Sequence, residues 1–103
     1  MSFQAEFTEQ FWEDYEAALT YLADDLENPG AAYALDRELD RVVRLLMRYP
    51  HVSAPYPFLD ETGAPYYHYP VRRFFAFYVI RGETVQLRRF LHAAADLPAR
   101  LEE

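Results

Sequence analysis

The sequence predicts an α+β fold: an N-terminal strand, then a helix hairpin packed on an antiparallel sheet that ends in a three-stranded C-terminal meander. Three observations lead there. Apolar residues alternate with a period of two in "FQAEF", recur every three to four residues from Phe11 to Leu46, and return to strand-like runs after residue 65. Asn28-Pro29 divides the helical stretch. Arg72-Arg73 and Arg81-Gly82-Glu83 divide the final stretch into strands.

"FQAEF" reads as a half-buried strand. Thr8 then caps a helix with Glu9 at the positive end of its dipole, and Phe7 and Trp12 occupy the two positions of a hydrophobic staple. Phe11, Tyr15, Ala18, Leu22 and Leu26 form its apolar stripe. Asn28 caps the second helix and Pro29 is preorganised for its first position, so the two helices make a tight hairpin. In the second helix Ala32, Leu35, Leu39, Val42 and Leu46 face inward, while Arg37, Arg41, Arg44 and Arg48 line the opposite side. Asp36, Glu38 and Asp40 interleave with those arginines, and Asp40 and Arg44 have i,i+4 spacing, so the stripe reads as a solvated face. Four prolines and Gly63 make residues 50–65 a long loop. The runs "YYHYPV", "FFAFYVI" and "TVQLRRFL" follow as strands. The middle run is apolar on both faces, so it should be a central strand with one side covered by the helices and the other partly bare for a partner.

With 103 residues and 51% hydrophobic content, the chain suits one domain, 1–103. It has no cysteine, which removes disulfides and thiolate metal sites. No apolar run approaches the roughly 20 residues that span a bilayer, and the N-terminus lacks signal-peptide character, so a soluble cytoplasmic protein without membrane association is expected. A net charge of −7 argues against general nucleic-acid coating. The acidity is uneven: residues 1–50 hold eleven acids and four arginines, whereas residues 66–92 hold five arginines and one acid, Glu83. All ten cations are arginine, a composition suited to bidentate contacts with carboxylate or phosphate.

The helix junction "NPGAA", the helix end "LLMRYP" and the run "YPVRRFFAFYVIRGETVQLRRFLHAAAD", with its His92-x-x-x-Asp96 ending, together resemble the RelE/ParE superfamily of type II toxin–antitoxin toxins over nearly the whole chain. The resemblance implies a small α+β toxin, masked by an extended or helical segment of a cognate antitoxin. Some members cleave mRNA on the ribosome and others poison DNA gyrase, and a toxin-like binding module that has lost activity is a third reading. Homodimerisation is a further expectation.

Breaking RNA through its 2′-hydroxyl needs a base, an acid and cations around the phosphate. His92, Arg89 and Arg73 are the catalytic candidates, with Arg72 beside them. Arg72, Arg73, Arg81, Arg88, Tyr67 and Tyr69 are the binding candidates, and at least some of the arginines should form one exposed patch. Tyr67 and Ala95 stand where many relatives carry arginine, which removes cations from the expected phosphate site and favours a gyrase-type binder over a nuclease. His92 can instead close a hydrogen bond to the turn that follows it. His68, among Tyr66, Tyr67 and Tyr69, reads as sheet packing rather than a base-stacking platform. No histidine and carboxylate set has metal-ligand spacing, and three scattered glycines make no phosphate loop, so no metal or cofactor is expected.

Overall fold

The computed structural model describes residues 2–102. In chain order the elements are β1 (Gln4–Phe7), α1 (Glu9–Thr20) continued by a π-helical segment (Tyr21–Asp25), α2 (Pro29–Arg48), β2 (Pro55–Leu59), β3 (Pro65–Val71), β4 (Phe74–Arg81), β5 (Thr84–His92) and α3 (Leu97–Leu101). The strands form one sheet in the order β1-β5-β4-β3-β2. The β2/β3, β3/β4 and β4/β5 pairs are antiparallel, whereas β1 runs parallel to β5, with Gln4 opposite Thr84 and Phe7 opposite Leu87.

The local signals act as their chemistry demands. The Thr8 hydroxyl accepts the Phe11 N–H at 3.1 Å, and Asn28 Oδ1 accepts the Ala31 N–H at 3.1 Å, so each cap satisfies an amide that its helix leaves open. Phe7 stacks on Trp12 with ring centroids 4.7 Å apart, which holds the entry angle of α1. Phe11, Tyr15 and Ala18 of α1 and Leu35, Leu39, Val42 and Leu46 of α2 are buried against Val71, Phe74, Ala76, Tyr78, Val85, Leu87 and Phe90 of the sheet. Tyr15 donates to Asp36 Oδ1 at 2.6 Å and ties the two helices together; burial, with this bond to the carboxylate, pushes its phenol upward.

Three sequence expectations are corrected. The segment 50–65 is not a loop throughout, since β2 lies within it. Tyr56 and Phe58 turn inward between exposed Pro55, Pro57 and Leu59, and the prolines, which lack an N–H, sit on the outermost strand, where no further ladder needs one. The first helix does not keep α-helical geometry to Leu26, because Tyr21–Asp25 widens to π-helix before Glu27 takes a left-handed φ of 49°. The second face of the sheet is covered by the chain itself: Leu97 and Leu101 of α3, with Tyr56 and Phe58, pack on Tyr66, Phe75, Phe77, Val79 and Leu91. Among the large apolar side chains that remain exposed, Trp12, Tyr21, Leu26, Tyr33, Tyr49 and Val52 lie on or beside the helices and in the loop before β2, and Leu59 ends β2. Among the described residues no helix is long and apolar enough to cross a membrane.

Candidate functional site

Arg72 and Arg73 form the two-residue turn between β3 and β4, with Arg72 at φ 57° and both side chains exposed. The turn is fastened to the exit of β5, because the Ala93 N–H donates to the Arg73 carbonyl at 2.9 Å. His92 lies opposite Phe74 in the sheet register, with ring centroids 5.1 Å apart. Its Nδ1 accepts the Ala94 N–H at 3.0 Å, and its carbonyl accepts the Ala95 N–H at 3.0 Å. Because Nδ1 is engaged as an acceptor, the neutral ring carries its proton on Nε2 and presents a donor there. Arg72, Arg73 and His92 therefore meet at one end of the sheet.

The remaining arginine candidates do not join them. Beyond Phe7, β1 ends and α1 takes over the bare edge of β5: the Thr8 hydroxyl donates to the Arg88 carbonyl at 3.1 Å, and Asp14 accepts the Phe90 N–H at 3.0 Å. Asp14 also receives Arg89, Nε at 2.7 Å and Nη2 at 3.2 Å, in a pair with side chains 5% and 6% exposed. Gln10 donates to the same carboxylate at 3.0 Å, and Arg89 Nη1 reaches the Arg100 carbonyl. Arg89 thus lies beneath the surface, tying sheet, α1 and α3 together. Its guanidinium is almost enclosed and already matched by a carboxylate.

Arg88 is turned elsewhere by a β-bulge. Phe77 faces Arg89 and Tyr78 faces Leu87, which leaves Arg88 as an extra residue in β5. Its guanidinium reaches Asp60 at 3.3 Å and Glu61 at 3.3 Å, and Arg81 joins Asp60 at 3.0 Å. The five sheet arginines therefore do not make one patch. Arg81, near the β4/β5 turn, and Arg88, opposite the middle of β4, are matched with acids, while Arg72 and Arg73 sit at the far end of β4, roughly 25 Å from Arg81 and roughly 15 Å from Arg88 at about 3.3 Å per residue. Tyr67 stacks on Tyr78 at 5.5 Å, and Tyr67 and Tyr69 both pack against the helix-covered core rather than standing free. His68 lies on the other face, in ring contact with Tyr56, Phe75 and Phe77, and its buried Nδ1 has no hydrogen-bond partner among the described residues. Burial lowers its pKa, favouring the neutral ring. Among the described residues no group of histidine and acid side chains could hold a metal ion.

The acids that pair these arginines, Asp14 and Asp60, carried no motif. One hint was present, since Asp14 lies on the apolar stripe of α1 beside Phe11, Tyr15 and Ala18. Asp60 anchors the β2/β3 turn, accepting the Thr62 N–H at 2.8 Å, the Thr62 hydroxyl at 2.7 Å and the Ala64 N–H at 2.9 Å. Burial alone would raise its carboxyl, but the Thr62 hydroxyl, the Ala64 and Thr62 amides and the Arg88 charge hold it at about 2. A folded-state value below the unfolded one, about 3.9, stabilises the fold at pH values above the unfolded pKa and loses that contribution as the pH falls through the folded one. Urea unfolding between roughly pH 5 and pH 2 should therefore show a steeper loss of stability in the wild type than in Asp60→Asn. Equal slopes would mean that Asp60 is not held ionised by the fold.

A family model described as the ParE toxin of the type II toxin–antitoxin system parDE matches residues 5–97. No curated protein matches the chain. Among solved structures, the chromosomal ParDE toxin–antitoxin system from P. aeruginosa contains a chain with 18% identity and a TM-score of 0.68, the alignment covering 88% of this chain and 96% of that one. The E. coli DinJ–YafQ complex contains one with 17% identity and a TM-score of 0.54, covering 90% and 96% respectively. At these identities the likeness concerns the fold.

Proposed function

The chain belongs to the ParE toxin family of type II toxin–antitoxin systems, and we propose that it inhibits growth by binding a macromolecular target of the DNA gyrase type and is neutralised by a cognate antitoxin. The observation that carries this reading is the diversion of the sheet arginines. Arg89 is committed to Asp14, and Arg81 and Arg88 to Asp60 and Glu61. Cleavage of RNA would need several cations gathered around one phosphate together with an acid and a base. Arg72, Arg73 and His92 remain together, with the His92 Nδ1 taken up by Ala94. The net charge of −7 adds repulsion towards a ribosomal surface and leaves the Arg72-Arg73 turn as a local basic feature suited to an acidic segment of an antitoxin.

Two assays on the purified protein separate this reading from mRNA cleavage. Gyrase supercoiling should fall in its presence and recover when the product of the adjacent open reading frame is added, and translating ribosomes should show no new mRNA ends. Specific cuts on ribosomes, reduced about 100-fold or more by His92→Ala with the fold intact, would replace the binding reading with the nuclease one.

A further inference from the structure

We infer that the cavity between the π-helical segment and the Arg72-Arg73 turn is a binding site for a ligand that carries a single carboxylate on an apolar body the size of an amino-acid side chain. The cavity measures about 560 Å³, within the range of small-molecule sites. Leu22, Leu26, Leu35 and Phe74 supply apolar walls, and Arg72, Arg73, His92 and Asn28 supply polar ones. No carboxylate lines it, in a chain with 17 acids and ten arginines. Three other depressions of the described residues are each lined by acids: Asp36, Glu38 and Asp40 in one, Asp60, Glu61 and Glu102 in the next, and Asp14 in the third. Neither Arg72 nor Arg73 enters an ion pair among the described residues. His92 adds its Nε2 donor, since Nδ1 is occupied by Ala94.

The backbone around this cavity departs from regular geometry in three places. Tyr21–Asp25 is π-helical, Glu27 has φ 49° and Arg72 has φ 57°. Each costs energy that an ordinary α-helix end or a glycine turn would avoid, and such departures cluster where a binding wall is being shaped. The charge pattern then selects the ligand. Asp24, Asp25 and Glu27 are exposed on the adjoining segment, so a dense polyanion such as nucleic acid is disfavoured, whereas one carboxylate can meet the arginines while its apolar body packs on Leu22, Leu26, Leu35 and Phe74. Two sources present this chemistry, a free organic acid and the C-terminal residue of a polypeptide. The inference holds whether or not the chain acts on gyrase.

Amide-resolved NMR titration of the full chain tests it with three probes: N-acetyl-phenylalanine, its neutral C-terminal amide, and 4-phenylbutyrate. The two acids should bind saturably and shift the amides of Ala31, Phe74 and Ala94, and the neutral amide should bind at least about 10-fold more weakly. Arg73→Gln should weaken both acids about 10-fold, leave the neutral probe unchanged, and keep the thermal midpoint. Arg73 is the position to vary because Arg72 also acts on the Glu38 carboxylate, which lies below its usual range mainly through its bond to Arg41. Tighter binding of N-acetyl-phenylalanine than of phenylbutyrate would point to a chain terminus as the source, and the reverse order to a free acid. Equal binding of acid and amide, shifts centred away from these residues, indifference to Arg73→Gln, or no saturable binding would each overturn the inference.

Discussion

Replacing Asp14 with alanine is expected to destabilise the protein by about 3–5 kcal/mol, because the change strands a buried arginine. Arg89 would keep its place between α1, β5 and α3 while losing the carboxylate that now receives it at 2.7 and 3.2 Å, and the Phe90 N–H, bound at 3.0 Å, would lose its acceptor in the same step. For a domain of this length each kcal/mol moves the thermal midpoint by roughly 4–8 °C, so a drop of roughly 12 °C or more should be read by calorimetry. The paired replacement Asp14→Leu with Arg89→Met should recover much of the loss, since it removes both charges together and leaves neither unpartnered. A midpoint unchanged by Asp14→Ala would show that Arg89 finds solvent, and would return it to the functional candidates. The same reasoning governs how toxicity data on Arg89 are read: loss of activity in Arg89→Ala reports on folding unless stability is measured beside it.

Reversing Arg72 and Arg73 together to glutamate is expected to weaken association with the cognate antitoxin at least about 10-fold, given coupling of roughly 1.5–7 kcal/mol for close charge pairs at an interface. The association rate should also become less sensitive to salt, because the turn is the local positive feature on an acidic molecule and its removal takes away the attraction that salt screens. Both side chains are exposed, so the fold should persist. The control is Arg37→Glu with Arg41→Glu on the outer face of α2. There Arg41 is already held by Glu38 at 2.9 Å and Arg37 lies over the Tyr33 ring at 5.9 Å, and surface contacts of this kind contribute about 0–1 kcal/mol. If the α2 reversal were the more damaging, the antitoxin surface would lie on that helix and not at the β3/β4 turn.

The arginines show where reading the chain stops short. A count from residue 66 to 92 yields five cations and one acid, and suggests a basic patch. The folded chain brings Asp60 and Glu61 to Arg81 and Arg88, across 20 to 28 positions, and Asp14 to Arg89 across 75. What remains of the patch is Arg72 and Arg73. The β-bulge at Arg88 belongs to the same class of fact, since the extra residue becomes visible only in the pairing of β5 with β4. β2 was within reach, because Tyr56 and Phe58 alternate with exposed neighbours, but the prolines in that run read as breakers until its outermost position in the sheet is known.

The sequence by itself determined what depends on neighbours within a few residues: the caps at Thr8 and Asn28, the inward stripe Leu35, Leu39, Val42 and Leu46, the breaks at Arg72-Arg73 and around Gly82, and hence the α+β order. These follow from hydrogen bonds and periodicities that close locally, whatever the rest of the chain does. Only the tertiary structure decided that β1 runs parallel to β5, that α3 covers the second face of the sheet, and which arginines stay exposed. Those outcomes rest on contacts between segments far apart in the chain. An arginine's charge is the same in every context, and what it can do is set by the carboxylates that folding brings to it.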